Sequence, residues 1–140
     1  MQVREIMTSK PQFIPANTTL EEAARKMRDL DCGFLPVADP REEKLSGVIT
    51  DRDITVRAVA DGRDPAKTTV ADIKSDRVLY CFRDDDVTDA AQRMQKQQVY
   101  RLVVLDSRDN KKLCGVVSLG DILRHDQPAL AARTAEAIVA

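Results

Sequence analysis

Two stretches of the chain place apolar residues at helical spacing. In LEEAARKMRDLD, Leu20, Ala23, Ala24, Met27 and Leu30 make one apolar stripe, and Thr18 and Thr19 with Glu21 and Glu22 supply capping boxes at its start. VTDAAQRMQKQ repeats the pattern after Asp84–Asp86, three carboxylates that read as a cap and favourable charge at a helix N-terminus rather than an acidic site. After each stripe the pattern shortens to apolar runs in pairs. FLPVAD and LSGVIT flank the charged turn PREEK; RLVVLD and LCGVVS flank SRDNKK. Each pair reads as a β-hairpin. A second helix follows each hairpin, from about Asp51 and in GDILRH, and an extended piece at Gln12 to Pro15 precedes the first stripe. The order is β-α-β-β-α, twice.

The two halves superpose in sequence. A shift of 67 places Val3 on Val70, Ile6 on Ile73, Ala23 and Ala24 on Ala90 and Ala91, Met27 on Met94, and Leu35, Val37 and Asp39 on Leu102, Val104 and Asp106. One extra residue in the second hairpin then makes the shift 68, so that Leu45, Gly47, Val48, Asp53 and Ile54 fall on Leu113, Gly115, Val116, Asp121 and Ile122. A repeat on this scale means tandem duplication of one fold unit. The expected fold is α/β with α+β character: two β-α-β-β-α units packed sheet to sheet with pseudo-two-fold symmetry. The repeats divide the chain at 1–66, 67–125 and 126–140. Gly62 and Pro65 mark the linker AVADGRDPAKTT, and the tail after Pro128 reads as a short helix with either the protein's own surface or a second chain to pack against.

Composition narrows the function. At 140 residues the chain buries roughly two-thirds of its unfolded surface, enough for a core without staples. Basic and acidic residues number 22 and 23 and are mixed along the chain, which argues against a general nucleic-acid binder. The longest apolar runs, such as Leu102 to Leu105, are too short to span a bilayer, and MQVREIMTSK has no signal-peptide core; the expected compartment is the cytoplasm. Cys32, Cys81 and Cys114 lack CxxC spacing and, with the single His125, make a poor zinc set, so they read as reduced core thiols and no metal is expected. No GxSxG, P-loop or HExxH pattern supports catalysis.

One phrase is written twice, GVITDRDI at 47–54 and GVVSLGDI at 115–122. Thr50 and Ser118 end strands, and Asp53 and Asp121 fall in the first turn of the following helices. Such a hydroxyl can bond a phosphate or sugar oxygen, and such a carboxylate can accept both hydroxyls of a ribose. The same spacing also describes a capping box, in which each aspartate bonds back to the Thr50 or Ser118 amide. The two roles are compatible. Around the phrase the copies differ: Phe34 and Pro36 in the first stand where Arg101 and Val103 stand in the second.

The element order, the tandem copy, FLPVAD, YRLVVLD and the doubled phrase together resemble a pair of CBS domains, a Bateman module, over residues 3 to about 125. The resemblance implies regulatory binding of AMP, ADP, ATP, NAD or S-adenosylmethionine in clefts between the repeats, with no cofactor required. It implies Thr50, Asp53, Ser118, Asp121, Arg101 and Pro36 as the nucleotide-binding residues, Arg101 reaching phosphate. It also implies a homodimer. Unlike many members of that family, the chain is expected to be a free-standing module, whose regulated partner protein is unknown. The alternative is an interaction or dimerisation module with empty clefts.

Overall fold

A computed structural model describes residues 1–75, 79–125 and 127–139. In chain order the elements are β1 (Thr8–Ser9), α1 (Leu20–Leu30), β2 (Phe34–Ala38), β3 (Leu45–Thr50), α2 (Asp51–Ile54, continued as a π-helical turn Thr55–Val59), α3 (Val70–Ile73), β4 (Tyr80–Phe82), α4 (Val87–Gln97), β5 (Arg101–Leu105), β6 (Leu113–Ser118), α5 (Leu119–Arg124) and α6 (Pro128–Val139), with a short 3₁₀ turn at Val3–Glu5. The fold class is the mixed α/β one expected. The chain divides into two compact units, Gln12–Val78 and Met1–Pro11 with Leu79–Ala140. This division by contacts differs from the division by repeats, because the short segment that leads each repeat packs in the unit of the other.

In the unit Gln12–Val78, β2 and β3 form the expected antiparallel hairpin. Ile14 adds a parallel bridge to Val37, its amide donating to the Pro36 carbonyl (3.1 Å) and its carbonyl accepting from the Ala38 amide (3.1 Å). Side chains alternate across the strands: Leu35, Val37 and Ile49 join the core with Leu20, Ala23 and Met27 of α1. Thr19 caps α1, its hydroxyl accepting from the Glu22 amide (3.2 Å). The buried stripe is narrower than the sequence suggests, since Ala24 and Leu30 are exposed.

The other unit repeats this plan with a fuller sheet, ordered β1-β6-β5-β4, in which β4 runs parallel to β5 and β5 pairs antiparallel with β6. Both hairpins shift register at the same place, between Val37 and Ala38 and between Val104 and Leu105. Asp86 caps α4, accepting from the Thr88 amide (2.8 Å), so the acidic run is the cap that its position implied. The tail helix α6 packs against α4 and α5 of its own chain. Leu130, Ala131 and Ile138 join the core there. Thr134, fully buried, donates to the Leu130 carbonyl (2.7 Å) and accepts from Gln95 Nε2 (3.0 Å). Ala91 of α4 is buried in this cluster, whereas its repeat counterpart Ala24 is exposed.

The exchanged segments make matching bonds. Val3 donates to the Asp85 carbonyl (2.8 Å) and Val87 to the Met1 carbonyl (2.9 Å); 67 residues on, Val70 donates to the Thr18 carbonyl (2.8 Å) and Leu20 to the Thr68 carbonyl (2.9 Å). Thr8 and Ser9 then pair with Val116 and Gly115, as Ser75 bridges Val48. Val3 and Ile6 enter one core, Val70 and Ile73 the other.

Candidate functional site

The doubled phrase takes the same local form in both units. Strand β3 runs extended to Thr50 (φ −120°, ψ 161°) and β6 to Ser118 (φ −125°, ψ 164°), and a helix begins at the next residue. The chain is tied across the hairpin at that point: the Asp51 amide donates to the Gly33 carbonyl (3.0 Å), and the Leu119 amide to the Tyr100 carbonyl (2.9 Å). A reciprocal cap follows. The Thr50 hydroxyl accepts from the Asp53 amide (3.0 Å) while the Asp53 carboxylate accepts from the Thr50 amide (3.0 Å). Ser118 Oγ accepts from the Asp121 amide (3.2 Å), and Asp121 Oδ2 from the Ser118 amide (2.8 Å).

Thus both aspartates make the return bond of a capping box. Thr69 and Asp72, outside the doubled phrase, do the same, with Asp72 Oδ2 accepting from the Thr69 amide (2.9 Å). Aspartate in place of glutamate is therefore no sign of a ligand in this chain. The glycine that opens the phrase also has a local cause. A Cβ on Gly47 would stand 2.8 Å from the Ser75 carbonyl oxygen, and one on Gly115 would stand 2.5 Å from Met7 Sδ and 3.0 Å from the Thr8 carbonyl oxygen. The glycines admit the exchanged segments.

Beyond the cap the copies diverge. Asp53 is half-buried, and its Oδ1 has no hydrogen bond or ion pair among the described residues; Asp121 is 6% exposed and its Oδ1 accepts from Arg124 Nη2 at 2.6 Å. Arg124 stands one turn after the aspartate, and its side chain is 68% exposed. Its counterpart at a shift of 68 is Val56, which carries no charge. Arg124 is not among the residues expected at the site from the sequence. The i, i+3 spacing was the signal that could have found the pair.

Register brings Arg101 directly opposite Ser118, and Phe34 directly opposite Thr50. Cross-strand partners share a face of the sheet, so Arg101 and Ser118 stand together on the face away from Leu102 and Val104. Arg101 is exposed and makes no ion pair among the described residues. Pro36 lies on the matching face of β2, opposite Val48, and is buried; what its backbone offers is a carbonyl already accepting from Ile14. Each unit thus assembles its own part of the expected set: Thr50, Asp53 and Pro36 in one, Ser118, Asp121 and Arg101 in the other.

The cysteines are free thiols. Cys81 lies in the core, where burial pushes its pKa up to about 12; burial also raises that of Cys114. Among the described residues no group of three or more His, Cys, Asp or Glu is placed to hold a metal ion, and no helix is long and apolar enough to cross a membrane.

Comparison with known proteins identifies the class. Residues 3–59 and 70–127 each match the CBS domain family. The chain belongs to that family, as a tandem pair. It is 34% identical over 120 residues to the CBS domain-containing protein YhcV of Bacillus subtilis, covering 86% of this chain and 81% of the relative. It is 32% identical over 122 residues to hypoxic response protein 1 of Mycobacterium tuberculosis, covering 87% and 82%. A crystal structure of Hypoxic Response Protein I with two coordinated zinc ions superposes with a TM-score of 0.80 at 31% identity, over 89% of this chain and 98% of that one. The CBS domain pair of protein MJ0100, in complex with 5′-methylthioadenosine and S-adenosyl-L-methionine, gives 0.77 at 28% identity over 92% and 98%.

Proposed function

We propose that the chain is a non-catalytic regulatory module that binds an adenosine-containing ligand at its doubled phrase, AMP, ADP or ATP first, with NAD and S-adenosylmethionine in the same class. The observation that carries this reading is the Asp53 carboxylate: one oxygen is held in place by the Thr50 amide, while the other has no partner among the described residues. Such a group is preorganised to accept from a ribose hydroxyl without first giving up a bond. The adenosine compounds held by the related CBS pair support the ligand class. Arg101, exposed and without an ion pair among the described residues, shares a face with Ser118 and suits a phosphate, which guanidinium binds in a bidentate fork. The reading extends to a cytoplasmic homodimer whose signal passes to a separate protein partner, with neither nucleic acid nor membrane involved and no resident metal.

A second reading has its own observation. Because both capping boxes are complete without ligand, the phrase has a sufficient structural reason to exist, and the chain would then serve as an interaction or dimerisation module. Calorimetric titration with AMP, ADP, ATP, NAD and S-adenosylmethionine separates the two. Under the nucleotide reading, Asp53→Ala and Asp121→Ala each weaken binding at their own copy by about 1.5–3 kcal/mol, the scale of a hydrogen bond to a charged group. Arg101→Ala lowers affinity for AMP and ATP and spares adenosine. Silence across the panel in the wild-type protein favours the interaction module.

A further inference from the structure

Among the differences between the two copies of the site is one ion pair, present at Asp121 and absent at Asp53 among the described residues. Asp121 Oδ2 is committed to the Ser118 amide and Oδ1 to Arg124 Nη2, so its carboxylate is engaged at both oxygens and almost wholly buried. A second feature is fitted to the same pair. A Cβ on Gly120 would stand 3.2 Å from Arg124 Nη1 and 3.6 Å from its Cζ, so the guanidinium lies back across the glycine. Gly120 is an unfavourable residue inside a helix, and in the first copy the position is Arg52. Gly120 and Arg124, which stand where the first copy has Arg52 and Val56, are thus parts of one arrangement.

We propose that Arg124 is a specificity-determining residue: it occupies Asp121 in the free protein and yields it only to a ligand that brings an anionic group in exchange. The inference rests on the nucleotide reading above. A neutral nucleoside must break the Asp121–Arg124 pair to reach the carboxylate and leaves the guanidinium uncompensated. A nucleotide places its phosphate within a few bonds of the ribose, offers it to Arg124, and frees Asp121 for the ribose hydroxyls. At Asp53, where no cation intervenes, phosphate is not needed for ribose binding.

The test uses Asp53→Ala protein, in which the second copy alone keeps its aspartate, titrated with AMP and with adenosine. AMP is expected to bind and adenosine to bind far more weakly. Adding Arg124→Ala should raise adenosine affinity about 1.5- to 5-fold, the span open to one largely exposed ion pair, and lower AMP affinity, so the ratio between them narrows to what Arg101 alone sustains. Arg124→Lys should retain part of the discrimination. An unchanged adenosine affinity alongside intact AMP binding, or an equal loss for both ligands, overturns the role of Arg124 and leaves the nucleotide reading standing. AMP binding absent from the wild-type protein as well overturns both.

Discussion

At the scale of single residues, the duplication extends to strained backbone. Asp31 and Gln98 end α1 and α4 in the left-handed region (φ 51° and 56°), and Glu43 and Lys111 take it in the two hairpin loops (φ 58° and 54°). None is glycine, and a side chain in this region costs about 1–2 kcal/mol. Lys111→Gly is exposed and should stabilise the protein by about 0.5–1 kcal/mol after the larger entropy of an unfolded glycine is deducted; a urea midpoint that falls would show that the loop is held by the lysine itself. Cys81 gives a pH dependence. Its unfolded thiol ionises near 9.0, while the folded one keeps its proton to about 12. The stability this lends is complete below pH 9 and is lost as pH rises towards 12, by at most about 1.4 kcal/mol per pH unit. Cys81→Ala should unfold with a shallower loss over that window than the wild-type protein, and equal slopes would place the ionisation elsewhere. The candidate aspartates and their return bonds to the Thr50 and Ser118 amides were legible because the spacing recurs; what the second carboxylate oxygen does was not. Both carboxylates cap; whether the remaining oxygen pairs or stays open depends on the next turn, Val56 in one copy and Arg124 in the other.

At the scale of elements, the helices and hairpins follow from their periodicity, and the loops from their turn residues. What the pattern does not reveal is the partner of a two-residue strand. β1 and the Ser75 bridge are too short to show an alternation, and their pairing is set by packing of Val3, Ile6, Val70 and Ile73 into cores far along the chain. The signal lay in Gly47 and Gly115, whose recurrence reads equally well as a ligand motif and as room for a crossing backbone. Gly115→Ala would force Met7 or the Thr8 carbonyl aside and should destabilise the protein by about 1–3 kcal/mol, the usual cost of overpacking. Hydrogen exchange should then quicken at the Val3 amide, whose bond to Asp85 depends on the same segment. Faster exchange confined to α5, with the leading segment unaffected, would assign the glycine to the helix start instead.

At the scale of the whole molecule, duplication was readable from matched apolar positions, yet the boundary between the units was not, because sequence similarity follows repeats while stability follows contacts. A fragment spanning residues 1–66 holds one full repeat, but it lacks Val70 and Ile73, which are 0% and 2% exposed in the core that α1, β2 and β3 share. It also lacks the Thr68 carbonyl that receives the Leu20 amide, and Ser75 beside Val48. Burying one such aliphatic side chain is worth about 1.5–3 kcal/mol, and a whole domain has only about 5–15 kcal/mol to lose. A fragment spanning residues 12–78, of nearly the same length, keeps all of these and sheds only the segment that serves the other unit. It should therefore show the higher helical signal by circular dichroism and the later, more cooperative urea transition. Equal transitions in the two fragments would mean that the exchanged segments bind too weakly to define the units, and the repeat boundary near residue 66 would then be the physical one.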